Sequence, residues 1–107
     1  MSHASFALHA EQTVEDLMER LEAIDALEDC DMDLIDGVFE LEFDDGAKLI
    51  INRQEPVEQL WLASPEGPAH FGYNGDSGEW ENDKTGESLT ATLERVLSQK
   101  TGQAIRL

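Results

Sequence analysis

Between Val38 and Asn52 the chain alternates so regularly that one local fold satisfies it. Val38-Phe39-Glu40-Leu41-Glu42-Phe43 places an apolar side chain at every second position, the pattern of a strand with one buried and one solvated face. Asp44-Asp45-Gly46 supplies a turn, and Ala47 to Asn52 resumes the strand. A three-residue loop with Gly46 in the left-handed conformation sets Phe43 opposite Ala47, Leu41 opposite Leu49 and Phe39 opposite Ile51. These six share one face, while Glu40, Glu42, Lys48, Ile50 and Asn52 share the other. A slip of one residue would bury the charges, so the pattern also sets the register.

The remaining chain must cover that apolar face. Residues 4–26 read as an amphipathic helix, with Phe6, Ala10, Val14, Leu17, Leu21 and Ile24 recurring every three or four positions and Asp16 and Arg20 spaced to pair. A strand is expected over 57–63 after the break at Pro56, with Leu60 and Leu62 turned inward and Gln59 and Trp61 outward. Weaker strands fall near 31–35, 69–73 and 79–82, bounded by the Pro and Gly residues of 65–68 and by Asn74-Gly75-Asp76-Ser77-Gly78. A second helix is expected from an N-cap at Thr85 to about Lys100, before Gly102, with Leu89, Leu93, Val96 and Leu97 on its apolar face. The order predicts an α+β two-layer sandwich, an antiparallel β-sheet with N- and C-terminal helices packed on one face, as a single domain over 1–107. The other sheet face is then open. Trp61 and Ile50 lie on it beside Asn52 and Gln59, and alternation with Phe71 brings His70 there too. Trp61 either offers a binding surface or is covered by the C-terminal tail or a cross-strand neighbour.

Charge narrows the function. The chain has 24 Asp and Glu against 7 Lys and Arg, a formal charge of −17, which repels nucleic acid and anionic membranes and attracts cations and basic proteins. Between residues 11 and 45, Arg20 is the only basic residue. Glu11, Glu15, Glu19 and Glu22 gather along one edge of the first helix. Oxygen-only donors suit calcium, magnesium, manganese or iron rather than copper or zinc, and a helix edge would hold them weakly and labile, with water completing the shell. The plain alternative is a solvated acidic face. A calcium loop is rejected: Asp29, Asp31 and Asp33 imitate one, but its sixth position is Leu34 where the turn needs Gly. No nucleotide-binding, nucleophile-elbow or paired-histidine motif occurs. His3 and His9 read as surface residues at a frayed terminus. The lone Cys30 has no disulfide or zinc partner, no run of about 18 apolar residues occurs, and the N-terminal residues resemble neither a secretory signal nor a presequence. A cytoplasmic location is expected.

The stretch Asn52-Arg53-Gln54-Glu55-Pro56-Val57-Glu58-Gln59-Leu60-Trp61-Leu62-Ala63 closely resembles the frataxin family, particularly its bacterial branch. The likeness continues through Gly37-Val38, the Asp45-Gly46 turn and Lys48-Leu49-Ile50-Ile51, and onward to His70-Phe71, Trp80 and Thr85-Gly86-Glu87. It implies a frataxin-like fold and iron, Fe2+ or Fe3+, bound on an acidic ridge. The matching positions are Glu15, Glu19, Glu22 and Asp25, with Asp29, Asp31 and Asp33 beyond them; Glu11 extends the same helical stripe. Ala23 and Ala26 thin the ridge where relatives are often acidic. The resemblance also implies docking on the cysteine desulfurase and scaffold protein of iron–sulfur cluster assembly, and regulation of that assembly. Asn52, Gln54, Gln59, Trp61 and His70 then form the protein-contact face.

Three functions compete. A monomeric iron-binding adaptor and regulator uses both the acid and the Trp61 face, with iron-dependent oligomers left open. A ferroxidase or storage protein would need a preorganised di-iron site with a Glu-x-x-His pattern on buried helices, which the sequence lacks. An acidic mimic of nucleic acid explains the charge but leaves Trp61 unused. The adaptor is the reading adopted.

Overall fold

The computed structural model describes the backbone of residues 3–107 and the side chains from residue 5; the side chain of His3 lies outside the described residues. The chain runs as α1 (His3–Glu22), β1 (Asp31–Ile35), β2 (Val38–Glu42), β3 (Lys48–Gln54), β4 (Gln59–Ser64), β5 (Gly67–Asn74), β6 (Glu79–Asn82) and α2 (Leu89–Thr101), with single 3-10 turns at Asp25–Leu27 and Glu55–Val57. The strands form a six-stranded antiparallel meander in sequence order.

The β2–β3 hairpin takes the expected register: Phe39 pairs with Ile51 and Leu41 with Leu49, and the Phe43 amide donates to the Ala47 carbonyl at 2.8 Å. Gly46 sits at φ +88°, a conformation a Cβ would strain. Phe39, Leu41, Leu49, Ile51, Leu60, Leu62 and Phe71 line one sheet face, and Phe6, Ala10, Val14, Leu17 and Leu21 of α1 cover it together with Leu89, Leu93, Val96 and Leu97 of α2. Trp80 and Ile105 join this core. Trp80 is held in place by its indole N–H, which donates to Thr13 Oγ1 at 3.1 Å.

The expected boundaries shift where local geometry overrides periodicity. α1 stops at Glu22, and Ile24 is extended (φ −91°, ψ 117°). The 3-10 turn that follows keeps a spacing of three residues and buries Leu27, so the apolar rhythm outlasts the helix. β4 begins at Gln59 rather than 57, because Pro56 lies in the 3-10 turn and Glu58 adopts a left-handed φ of +51°. β5 starts at Gly67, which pairs with Ser64 across a turn at residues 65 and 66.

The largest correction is at α2. Its N-cap is Ser88, whose Oγ accepts from the Ala91 amide at 3.0 Å, not Thr85. Asn82 draws residues 84–87 into a separate turn: its Oδ1 accepts from Lys84 N at 2.8 Å and Thr85 N at 3.1 Å, and its amide donates to the Glu87 carbonyl. Gly86 follows at φ +79°, so no helix can pass through it. We expect Ser88→Ala to cost about 1 kcal/mol in chemical denaturation and Thr85→Ala less than about 0.5 kcal/mol. The reverse order would return the cap to Thr85.

Arg95 of α2 fastens two loops. It bonds both oxygens of Glu66 in the β4–β5 turn, at 2.8 and 3.2 Å, and also Glu87, whose other oxygen accepts from Thr92 Oγ1 at 2.8 Å. Hydrogen bonding to Arg95 is the main cause holding both carboxyls below their ordinary range. A depressed folded-state pKa stabilises above the unfolded value and loses its contribution as pH falls through the folded one. The stability gap between the native chain and Arg95→Met should therefore be widest near neutrality and close on acidification through the carboxylate range. Urea titrations at stepped pH would show it, and a gap independent of pH would refute it.

Candidate functional site

The helix edge carries Glu11, Glu15, Glu19 and Glu22 at spacings of four, four and three, a line of about 16 Å at 1.5 Å per residue. Asp25 continues it into the 3-10 turn, and Asp29 follows in the connection to β1. All eight ridge carboxylates, Asp31 and Asp33 included, are exposed. Among the described residues only Glu11 of this set has a cation within reach, Arg53 at 3.9 Å. The carboxylates do not form one flat patch. Met32 and Leu34 of β1 pack against the core, so Asp31 and Asp33 point to the opposite sheet face, where they pair with Glu42 and Glu40. The ridge therefore bends around the β1 edge. Glu40 and Glu42 extend it, and the parity of the β2 alternation placed them on that face.

Lys48 is the local counterion. Its ammonium lies 2.8 Å from Glu40, and that hydrogen bond, followed by the charges of Glu40 and Glu42, holds it above its ordinary pKa. Cys30, half-buried behind the ridge, has its thiol pushed up by burial and then by Asp44, Asp29 and Asp31, which keeps it protonated and a poor nucleophile. Among the described residues no three His, Cys, Asp or Glu groups converge closely enough to cage a metal ion. The donors present are carboxylate oxygens, open to water, a set that fits a hard cation held by one or two residues at a time.

The open sheet face brings Asn52, Gln54, Gln59, Trp61 and His70 together. Asn52 pairs with Trp61 and Gln54 with Gln59, and Trp61 pairs with His70. The indole and imidazole rings stack with centroids 4.2 Å apart and planes 12° from parallel. Trp61 Nε1 donates to Gln59 Oε1 at 3.0 Å, and Gln59 Nε2 donates to Asp83 Oδ2 at 3.2 Å. Asp83 lies 3.9 Å from His70 Nδ1. A closed circuit thus holds the indole flat and half-exposed. Its cover is the cross-strand neighbour, not the C-terminal tail, which buries Ile105 in the core and ties the Leu107 amide to Glu94 at 2.8 Å. An open hollow of about 190 Å³ lies beside the rings, lined by Ile50, Asn52, Ala63 and Pro68.

Two further apolar residues belong to this face. Ile35 pairs with Val38, and they are 65% and 38% exposed. Their parity with Asp33 and Glu40 marks the face; what the sequence hides is that nothing covers them. Asp83 was missed because its turn brings it to His70 only through the β5–β6 register. His9 is not a frayed surface residue. It is half-buried, with ring centroids 4.4 Å from Tyr73 and 5.2 Å from Trp80. No helix among the described residues is long and apolar enough to cross a membrane.

Comparison with known proteins agrees with this geometry. The frataxin-like domain model matches residues 1–103. An iron–sulfur cluster assembly protein CyaY of Thioalkalivibrio sulfidiphilus is 66% identical over 107 residues, covering all of both chains. Frataxin from Psychromonas ingrahamii superposes with a TM-score of 0.86 at 31% identity, over 99% of this chain and 97% of that one. Trimeric frataxin from the yeast Saccharomyces cerevisiae, complexed with ferrous iron, gives a TM-score of 0.69 at 32% identity, over 96% and 88% of the two chains. A two-helix cap on one face of a six-stranded meander, matched in sequence from end to end, makes this chain a member of the frataxin family.

Proposed function

We propose that the chain, acting as one domain in the cytoplasm, is a non-enzymatic regulator of iron–sulfur cluster assembly. It docks on the cysteine desulfurase and its scaffold protein, and it holds iron loosely on the acidic ridge as cargo or signal. The observation that carries this reading is a run of exposed carboxylates, Glu15, Glu19, Glu22, Asp25, Asp29, Asp31 and Asp33, none of which meets a cation among the described residues, beside an open sheet face with a half-exposed indole. Unpaired surface charge of one sign is available to an external cation or a basic protein groove. The cluster-assembly relative at 66% identity supports the setting, and the ferrous complex of the yeast relative supports the metal.

Glu15, Glu19 and Glu22, with Asp25, Asp29, Asp31 and Asp33, supply one or two oxygens to each ion, and Glu11 extends the line. A ferroxidase would draw on buried, convergent carboxylates to bring two irons together; exposed side chains spread around a sheet edge suit loose exchange instead. The chain works as a monomer, and iron-driven assembly would follow from ions bridging the ridges of separate copies.

Fe2+ added without oxygen should shift or broaden backbone resonances of residues 11–33 and spare Trp61 and His70. Perturbation centred on the histidines would defeat the ridge assignment. Trp61→Ala should weaken binding to a purified cysteine desulfurase–scaffold complex by about tenfold or more, while lowering stability less than the roughly 3–5 kcal/mol of a buried Trp truncation. Rising salt should weaken the same binding steeply by screening the ridge. Salt-insensitive affinity, or an unchanged Trp61→Ala complex, would count against docking through these surfaces.

A further inference from the structure

The ridge and the Trp61 face meet at one corner of the molecule, the Ile35–Val38 turn between β1 and β2. On its helix side a groove of about 330 Å³ opens between α1 and this turn, lined by Val14, Leu34 and Gly37 below and by Glu11, Glu15 and Asp36 at the rim. Val14 is almost fully buried and Leu34 half-buried, so the floor is aliphatic. Arg53 is the cation beside it: its guanidinium lies 3.6 Å from where a Cβ on Gly37 would stand. That charge is already engaged, by Glu55 at 3.1 Å and more distantly by Glu11 at 3.9 Å. Three rim carboxylates against one engaged guanidinium leave the groove mouth negative.

On the other side of the same turn Ile35 and Val38 are exposed. Phe39 pairs with Ile51, which sets Val38 beside Asn52, and Asn52 pairs with Trp61. A partner that touches both the helix acids and the indole has a short path across this corner, where Ile35 and Val38 are open on the sheet side and Leu34 is half-exposed on the helix side. A purely polar basic segment would cover the rim charges and leave the aliphatic floor wet.

We propose that the groove seats one aliphatic side chain from a positively charged segment of the docking partner, with flanking Lys or Arg side chains meeting Glu11, Glu15 and Asp36. The inference rests on the docking reading above and specifies the chemistry of the docking segment. Rim charge attracts the segment; the aliphatic anchor sets its register against the corner.

The test uses the full chain and two synthetic Lys/Arg peptides that are identical except for a central leucine or serine. Methyl-labelled protein is titrated with each. The leucine peptide should bind about five- to tenfold more tightly than its serine twin, a fraction of what complete burial of leucine would give, and should shift the Val14 and Leu34 methyls, which the serine peptide leaves unmoved. Asp36→Asn with Glu15→Gln should weaken both peptides by a similar factor and preserve their ratio. Asn suits the left-handed φ of +53° at position 36, so this variant should keep its fold, checked by its amide spectrum. Equal affinity of the two peptides, or methyl shifts absent with both, overturns the groove while leaving salt-dependent desulfurase binding as a separate result. A leucine preference in a chain that does not bind the desulfurase would support the groove and overturn the docking reading.

Discussion

The covering of one sheet face by two helices is the constraint on which everything else depends. α1 and α2 each have a single apolar stripe, and the meander has a single apolar face, so each satisfies the other and nothing apolar is left to cover the second face. That second face is where the indole of Trp61 comes to lie. Its exposure is a consequence of the layer count, and the His70 stack with the Gln59–Asp83 bridge holds the ring steady without hiding it. Surface that must stay open yet remain ordered suits a partner that binds without refolding the site.

The same architecture decides where the acids lie. α1 crosses the sheet beside β1, an edge strand with one neighbour. Its outer edge therefore runs along the sheet margin, and the carboxylates of α1 and of β1 converge on that margin from opposite faces. Helical spacing accounts for Glu11 to Glu22 and strand parity for Asp31 and Asp33; the join between them comes from tertiary packing. The ridge is therefore a bent line, which explains why its eight carboxylates follow one margin without three of them converging on a cage among the described residues.

Legibility in the sequence followed how local each determinant was. The β2–β3 register could be read to the residue because alternation and the Asp44-Asp45-Gly46 turn specify it together, and β1 and β6 took the boundaries expected of them. The shared face of Asn52, Gln59, Trp61 and His70 followed from parity, and Gln54 was placed there by the family resemblance. Failures came where a side chain outside the element decides. Thr85 has the right chemistry for a cap, but Asn82 bends the chain first and Ser88 takes the role. His9 sits near the start of the chain, yet Tyr73 and Trp80 enclose it from strands more than sixty positions away. The groove at the β1–β2 turn had no signature in the sequence, since its floor is made by residues 14 and 34 meeting across the two layers.

The placement of the few cations argues that the uncompensated ridge is a feature and not a by-product of acidity. With 7 Lys and Arg among 24 Asp and Glu, each basic side chain could have neutralised part of the α1 edge. Arg95 instead fastens Glu66 and Glu87, Lys100 pairs with Asp45 at the hairpin turn, Lys48 with Glu40, and Arg53 with Glu55. Arg20 lies on α1 itself, but it turns to Asp16 at 3.1 Å, off the line of Glu15, Glu19 and Glu22. Arg95 and Lys100 thus tie down loops and turns, where fixing the chain offsets conformational entropy, while Glu15, Glu19, Glu22, Asp25, Asp29, Asp31 and Asp33 stay unmatched among the described residues at a cost in self-repulsion. A surface shaped only for solubility would intersperse the two signs. Charge kept single-signed along one edge, against that repulsion, is what the proposed binding of iron and of a basic partner would offset.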